Sequence, residues 1–359
     1  MYKIIYIISY LISTNAASKY LCDVRMQLEK LIAKVDSLDD LSSRKVSALV
    51  GAIVADAACL HLEWIYDQDK VLKIVDHHPE PAFWPENHNP FFALPNGQLS
   101  GYADQTLQVL NVMVENNGKF DASKVVAHFL KFFGNATTSP YQESLRKRRE
   151  GKFPIEGPWL HGAIISMIDR FEAGIDPPGS EDAIERDAII AMTPLILQQV
   201  PNLDFDSLKR SFYILTQDPM AIEHHEIEAF ILSQFVQDAK DPIEEVKRKF
   251  ANSNIVDEIK DVEDGLAENK SPRELVKSFG MACPLPGSFQ SSLVSIINAK
   301  NYPDAIRETI LCGGDSCTRA NFIGACLGAK FGIQGIPKEW LAQVDGIEDI
   351  IEKSLKVLK

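Results

Sequence analysis

The sequence has 359 residues, 45% hydrophobic and 24% charged, so it can bury a sizeable core and is not a disordered tail. Its 50 acidic residues against 37 basic ones leave a net charge of -13, which repels phosphate backbones and argues against a nucleic-acid partner. The cysteines (Cys22, Cys59, Cys283, Cys312, Cys317 and Cys326) show no CxxC or Cys/His ligand spacing and are too sparse for a disulfide framework.

At the N-terminus, Lys3 precedes the apolar stretch from Ile4 to Ile12, and small residues follow at Ser13, Ala16, Ala17 and Ser18. This is the three-part layout of a signal peptide, and it is too short to span a membrane. Met26 opens a clean amphipathic pattern. Residues 1–25 are therefore read as an apolar leader or upstream extension, and 26–359 as one folded domain. The expected location is cytoplasmic; the alternative is secretion, if residues 1–18 act as a signal. In that case Asn135-Ala136-Thr137 becomes a glycosylation site.

Helical periodicity then recurs along the chain. Leu28, Leu31, Ile32 and Val35 share a face, as do Val126, Phe129, Leu130 and Phe133, and Ile227, Phe230, Ile231 and Phe235. Ile347, Ile350, Ile351 and Leu358 repeat the pattern near the end. No run alternates apolar and polar residues, so strand is rare or absent. Short Pro/Gly breaks are scattered evenly, which suits connections inside a bundle better than a domain linker. The predicted architecture is all-α: a single-domain, orthogonal multi-helix bundle.

Two segments built from small residues, GAIVADAA from Gly51 and GACLGA from Gly324, let helix backbones approach closely and are expected to cross at the centre. Cys59 and Cys326 lie in such runs and read as core packing. Asp104 and Asp315 each stand where a helix should begin, Asp104 before TLQVLNVM and Asp315 after Gly313-Gly314. Either alone reads as an N-cap. Two such termini meeting, with Glu63 as a third carboxylate, would make an oxygen-rich cup for a hard divalent cation.

Three stretches occur in this order: GAIVADAACLHLEWIYD, SGYADQT and CGGDSCTRANFIGACLGAKFGIQGIPKEWL. Together they resemble the ADP-ribosylglycohydrolase family, and more closely its branch of lens J-crystallins and selenoprotein J. The resemblance runs from about Ser43 to Leu341. It implies an all-α fold whose pocket holds Mg²⁺ and orients ADP-ribose for attack by water. The family's Thr-Asp-Asp-Thr motif falls on Ala103, Asp104, Gln105 and Thr106, and its Asp-Thr-Asp-Thr motif on Asp315, Ser316, Cys317 and Thr318. Its N-terminal acid aligns with Glu63. Among the ligand positions Asp104, Asp315 and Thr318 keep the family's type, whereas Ala103, Gln105 and Cys317 do not. The carboxylates that remain suit one Mg²⁺ better than two.

What the resemblance implies is a hydrolase of an ADP-ribosyl or related N- or O-glycosidic bond. Glu63, Asp104 and Asp315 would be catalytic, with Glu63 as general base. Asp104, Asp315 and Thr318 would hold the metal, and Tyr102, Gly313, Gly314 and Ser316 would contact the substrate. The partner is then small-molecule or protein-linked ADP-ribose, with no nucleic acid and no membrane span. The alternatives are a catalytically silent, crystallin-like structural protein and a non-catalytic ADP-ribose-binding module. Cys317 is either a thiolate activated by its helix N-terminus or a passive buried thiol. His61 reads as a satisfied core histidine or a pocket wall, and His77-His78 and His224-His225 as surface or loop. Arg146, Lys147, Arg148 and Arg149 read as a solvated charge run or a greeting for a diphosphate. Trp84 and the Phe91-Phe92 pair are loop anchors or flank a nucleobase.

Overall fold

The computed structural model describes residues 26–76, 78–134 and 139–359, and helix dominates them. The leader, Cys22, His77 and the Asn135-Ala136-Thr137 triplet fall outside the described residues. Two helices form the centre: α1 (Asp40–Cys59) and a second one late in the chain, Ser316–Phe331. Asp39 caps α1 by accepting from the Ser42 N–H at 3.0 Å. From Val46 to Cys59 every residue of α1 is buried, as is every residue from Ser316 to Ala329. A helix apolar on all sides has to be surrounded by others. The span Asp40–Leu62 is long and apolar enough to cross a membrane by length and composition, but it lies 94% buried inside the protein.

The predicted crossing of the small-residue segments is present. A Cβ on Gly51 would land on the Gly324 carbonyl oxygen, and one on Gly324 would land on the Gly51 carbonyl. Only hydrogen at these positions lets the two backbones touch. The Tyr302 hydroxyl donates to the Gly51 carbonyl at 2.6 Å and ties a third helix to this crossing.

Around the pair sit α2 (Gly101–Glu115), α3 (Ala122–Phe133), α4 (Pro140–Arg149), α5 (Gly162–Glu172), α6 (Asp187–Ala191), α7 (Pro219–Val236), α8 (Gly287–Asn298), α9 (Tyr302–Leu311), the central α10 (Ser316–Phe331) and α11 (Ile347–Leu358). Helices α7, α8 and α9 pack on α10, and α11 packs on α1 and α2. The outer helices are amphipathic as read: Phe129 and Phe133 of α3 and Ile350, Ile351 and Leu358 of α11 are buried. One cluster of buried apolar residues runs from Leu28 to Leu358. Among the described residues, strand is confined to a parallel pair, β1 (Phe92–Ala93) with β2 (Ile155–Glu156).

One reading changes. His224 and His225 are not surface residues, because α7 is enclosed by its neighbours. His224 bonds Glu258 at 2.9 Å, and His225 bonds Glu228 at 3.2 Å. Glu228 also faces the fully buried Arg186; burial raises the Glu228 pKa, but the Arg186 charge together with the hydrogen bond and charge of His225 lowers it on balance. This is a paired ionic layer inside the core.

Candidate active site

The site forms where α1 ends, α2 begins and α10 begins. After α1, a single 3-10 turn (Leu60–Leu62) gives way to Glu63 in extended backbone. The next residue, Trp64, stands at φ +60° and turns the chain back. Its N–H donates to the Gly314 carbonyl at 2.8 Å, and the Gly314 N–H donates to the Ile65 carbonyl at 2.9 Å. Gly314 can accept this bridge because it lies at φ +71°, with the Met281 carbonyl where a Cβ would go. Glu63 is thereby fixed against the start of α10.

Asp315 is the N-cap of α10, accepting from the Thr318 N–H at 3.2 Å and the Thr318 hydroxyl at 2.6 Å. Its other oxygen accepts from the Tyr102 hydroxyl at 2.9 Å. The buried Arg319 braces the turn from below, donating to the Met281 and Gly313 carbonyls. Asp104, by contrast, is no cap. Ser100 caps α2, accepting from the Tyr102 N–H at 3.1 Å, and Asp104 lies a turn further in. There its carboxylate accepts from Tyr141 of α4 at 2.5 Å.

Three residues not singled out in the sequence join them. Asp56 accepts from both the Ser100 N–H (2.8 Å) and its hydroxyl (2.6 Å). Asp187, at the start of α6, accepts from Gln105 at 2.7 Å and bonds His161 Nδ1 at 3.0 Å. The Tyr102 and His161 rings lie edge to face, centroids 3.9 Å apart. A lone Asp inside the apolar run GAIVADAA was the available signal for Asp56, since such a carboxylate needs a partner.

The acids perturb one another. Burial pushes Glu63 well above the ordinary carboxylate range, and the charges of Asp315 and Asp56 push it further. Burial raises Asp56 to about 7 against the opposing Ser100 hydrogen bonds, with the Asp104 charge adding to the rise. Asp104 rises to about 6, again through burial. Burial alone would lower His161, but the Asp187 charge and hydrogen bond outweigh it and raise it. A cleft-like cluster of perturbed acids is what a functional site looks like physically. Both Glu63 oxygens are buried without a hydrogen-bond partner, as are Gln105 Oε1 and Ser316 Oγ.

Above the cluster sits an aromatic cap. Trp64 meets Phe91, Phe92 and Trp159 edge-on, with centroids 5.5, 5.3 and 5.2 Å away. Elsewhere, an apolar groove of about 730 Å³ is lined by Val126, Leu130, Phe171, Ile175 and Tyr213; none of the acids reaches it.

The sequence model of the ADP-ribosylglycohydrolase family matches residues 37–358. The chain belongs to the ADP-ribosylglycohydrolase family. It is 28% identical over 326 residues to Crystallin J1A of Tripedalia cystophora, covering 90% of this chain and 98% of that one. Crystallin J1B of the same animal is 26% identical over 327 residues, with the same coverage. These relatives agree with the crystallin branch of the resemblance. A solved structure described as an ADP-ribosylglycohydrolase-related protein complex superposes at a TM-score of 0.65 and 19% identity, covering 89% of this chain and 99% of that one. That match establishes the all-α fold of the family.

As a family member, the chain assembles Glu63, Asp104, Asp315, Tyr102, Gly313, Gly314, Ser316 and Thr318 at the meeting of three helix ends. Asp104 and Asp315 are held by tyrosine hydroxyls, Gln105 turns to Asp187, and the Thr318 hydroxyl is spent on Asp315. Among the described residues no group of His, Cys, Asp or Glu side chains is arranged to hold a metal ion. The side chains that the resemblance assigns to Mg²⁺, Asp104, Asp315 and Thr318, are bonded to Tyr141, to Tyr102 and to one another. Cys317 donates its thiol to the Asp56 carbonyl at 3.4 Å, and burial with the Glu63 and Asp56 charges pushes its pKa well up. It is the passive thiol, not the activated one. His61 spans the Trp84 and Leu94 carbonyls at 2.6 and 2.8 Å and is a core tie.

Proposed function

We propose that this chain cleaves a glycosidic bond to an ADP-ribosyl or closely related group at the Glu63–Asp104–Asp315 cluster. The observation that carries the proposal is Glu63: a fully buried carboxyl group with no well-formed hydrogen bond to either oxygen, pressed against Asp315 and Cys317. Such a group costs stability in a protein that makes no use of it, because a buried polar atom without a partner loses its hydration for nothing. With its pKa pushed up by burial and by the charges of Asp315 and Asp56, Glu63 suits the acid that protonates a leaving group better than the general base expected from the resemblance. Asp104 and Asp315, held by Tyr141 and Tyr102, would orient the attacking water and take up its proton.

The test is release of ADP-ribose from arginine-linked, serine-linked, polymeric and small nucleotide substrates by the full chain, with and without Mg²⁺. Turnover that is lost in Glu63→Gln, while ADP-ribose still binds, supports the reading. Absence of both turnover and ADP-ribose binding sinks it. Binding without turnover points to a binding module instead.

A second reading, a crystallin-like structural protein, is favoured by how thoroughly the acids are covered. Glu63 and Asp315 are each 1% exposed. The J1 crystallins of Tripedalia cystophora, similar along 98% of their length, lend this reading weight. It predicts no ligand affinity and high solubility at concentrations where enzymes aggregate.

A further inference from the structure

His161 stands at the N-cap of α5 in extended backbone, yet its ring does not cap the helix. Its Nδ1 bonds the Asp187 carboxylate at 3.0 Å instead, and both side chains are buried. An ionised carboxylate only accepts, so Nδ1 carries the hydrogen and Nε2 is the nitrogen free to exchange a proton. Among the described residues Nε2 has no hydrogen bond. It lies along Gly101, where a Cβ would come within 2.9 Å of it, so the glycine that starts α2 leaves room for that edge of the ring.

From this position the ring is coupled to the whole acid cluster. It packs edge to face on Tyr102, centroids 3.9 Å apart, and the Tyr102 hydroxyl donates to Asp315. The Trp64 ring, next to Glu63, lies 6.5 Å away. The charges of Asp187, Asp315 and Asp56 act on His161, and its own charge acts on Asp104 and Glu185. Burial alone would lower the ring's pKa, but the Asp187 charge and hydrogen bond lift it above the ordinary 6.5. An imidazole whose tautomer is set by a buried carboxylate, with its second nitrogen open, is built as a base. With Glu63 as the acid, the reaction needs such an acceptor.

We propose that Asp187 and His161 form a proton-accepting dyad, in which Nε2 receives the proton that the attacking water gives up. This deepens the hydrolase reading and rests on it for the reaction. The water oxygen bonds to the anomeric carbon as the bond to the leaving group breaks, and the leaving group takes the Glu63 proton. The proton shed by the water to Asp104 or Asp315 passes on to Nε2. Solvent then removes it from the imidazolium and returns one to Glu63, which restores the starting state.

The test joins two measurements on the full chain, wild type, His161→Gln and Asp187→Asn, with thermal melts to check folding. Nitrogen NMR of histidine-labelled protein follows the ring across neutral pH, and His161→Gln assigns its signals. Wild type should show hydrogen on Nδ1 and a midpoint above 6.5 that falls in Asp187→Asn. On arginine-linked and serine-linked ADP-ribose, kcat should rise with pH through the same midpoint. His161→Gln should lower kcat roughly a hundred- to ten-thousandfold, leave KM within about threefold and abolish that rise. A residue that merely packs would not move the pH profile. Hydrogen on Nε2 alone, a midpoint below 6.5, or unchanged kcat in His161→Gln overturns the dyad. Should His161→Gln fail to fold, Asp187→Asn decides on the same two readouts. Cleavage with an unaltered pH profile in either variant would sink the dyad and keep the hydrolase reading. A ring that titrates as stated, in a wild type that cleaves no linkage, would uphold the proton acceptor and sink the hydrolase reading.

Discussion

The Tyr102 hydroxyl donates to the Asp315 carboxylate at 2.9 Å, joining the first turn of α2 to the cap of α10 across 213 residues of sequence. Both side chains are almost wholly buried, at 2% and 1% exposure. Tyr102→Phe removes the donor and leaves a buried acceptor short of one bond, which costs about 1–3 kcal/mol. A lower midpoint in urea at unchanged slope is the expected result. No change in midpoint would mean that water replaces the hydroxyl.

Asp56 gives stability a pH dependence of unusual sign. Its folded pKa, about 7, lies above the ordinary 3.8 of an exposed aspartate, so the native state binds more protons than the unfolded chain between those values. Stability from this group is then fullest at the acid end of that window and is lost as pH rises through about 7. A shifted unit is worth about 1.4 kcal/mol, so the slope from Asp56 alone is on the order of 1 kcal/mol per pH unit. Asp56→Asn mimics the protonated form and should flatten the curve of unfolding free energy between pH 5 and pH 8. Parallel curves for variant and wild type would refute the assignment.

The helix crossing makes a sharp contrast between two glycines. Gly324→Ala drives a methyl group into the Gly51 carbonyl and should cost about 1–3 kcal/mol or more. Gly162→Ala meets nothing within 4 Å and should stay within about 0.5 kcal/mol of wild type. Equal thermal midpoints for the two variants would show that the central helices can slide apart.

Cys317 and Cys59 should resist iodoacetamide in the folded protein and react once urea unfolds it. Both are fully buried, and burial raises both thiols well above their ordinary range. Peptide mass spectrometry of the alkylated protein reads this directly. Labelling of native Cys317 faster than global unfolding would reveal an opening of the site.

The helical architecture was legible because its signals are local. Period 3.6 marks the faces of α3, α7 and α11, and glycines among alanines mark the crossing of α1 with α10. Asp315 was legible as a cap because Gly-Gly before it and a periodic run after it leave little choice. Asp104 was not: the run after it made it read as the cap, but Ser100 takes that role because the Tyr102 N–H lies within its reach. His161 and Asp187 were invisible, since they reach Tyr102 and Gln105 only after the chain has folded back over a long separation. His224 and His225 were misplaced for a related reason: a polar pair looks like surface until Glu228 and Glu258 arrive to pair with it. Local pattern shows where helices start; it does not show which polar groups will meet.

The bridge between residues 64–65 and Gly314 has a wider consequence. The spacing of Glu63 and Asp315 is set by two main-chain hydrogen bonds, which do not depend on what either side chain is. The frame and its chemistry are therefore separable, like a socket wired independently of the bulb. Side chains at positions 63, 105 and 317 take no part in those two bonds, so they can be exchanged without breaking them. A scaffold of this kind can lose one activity and acquire another while its outline, packing and solubility stay as they were.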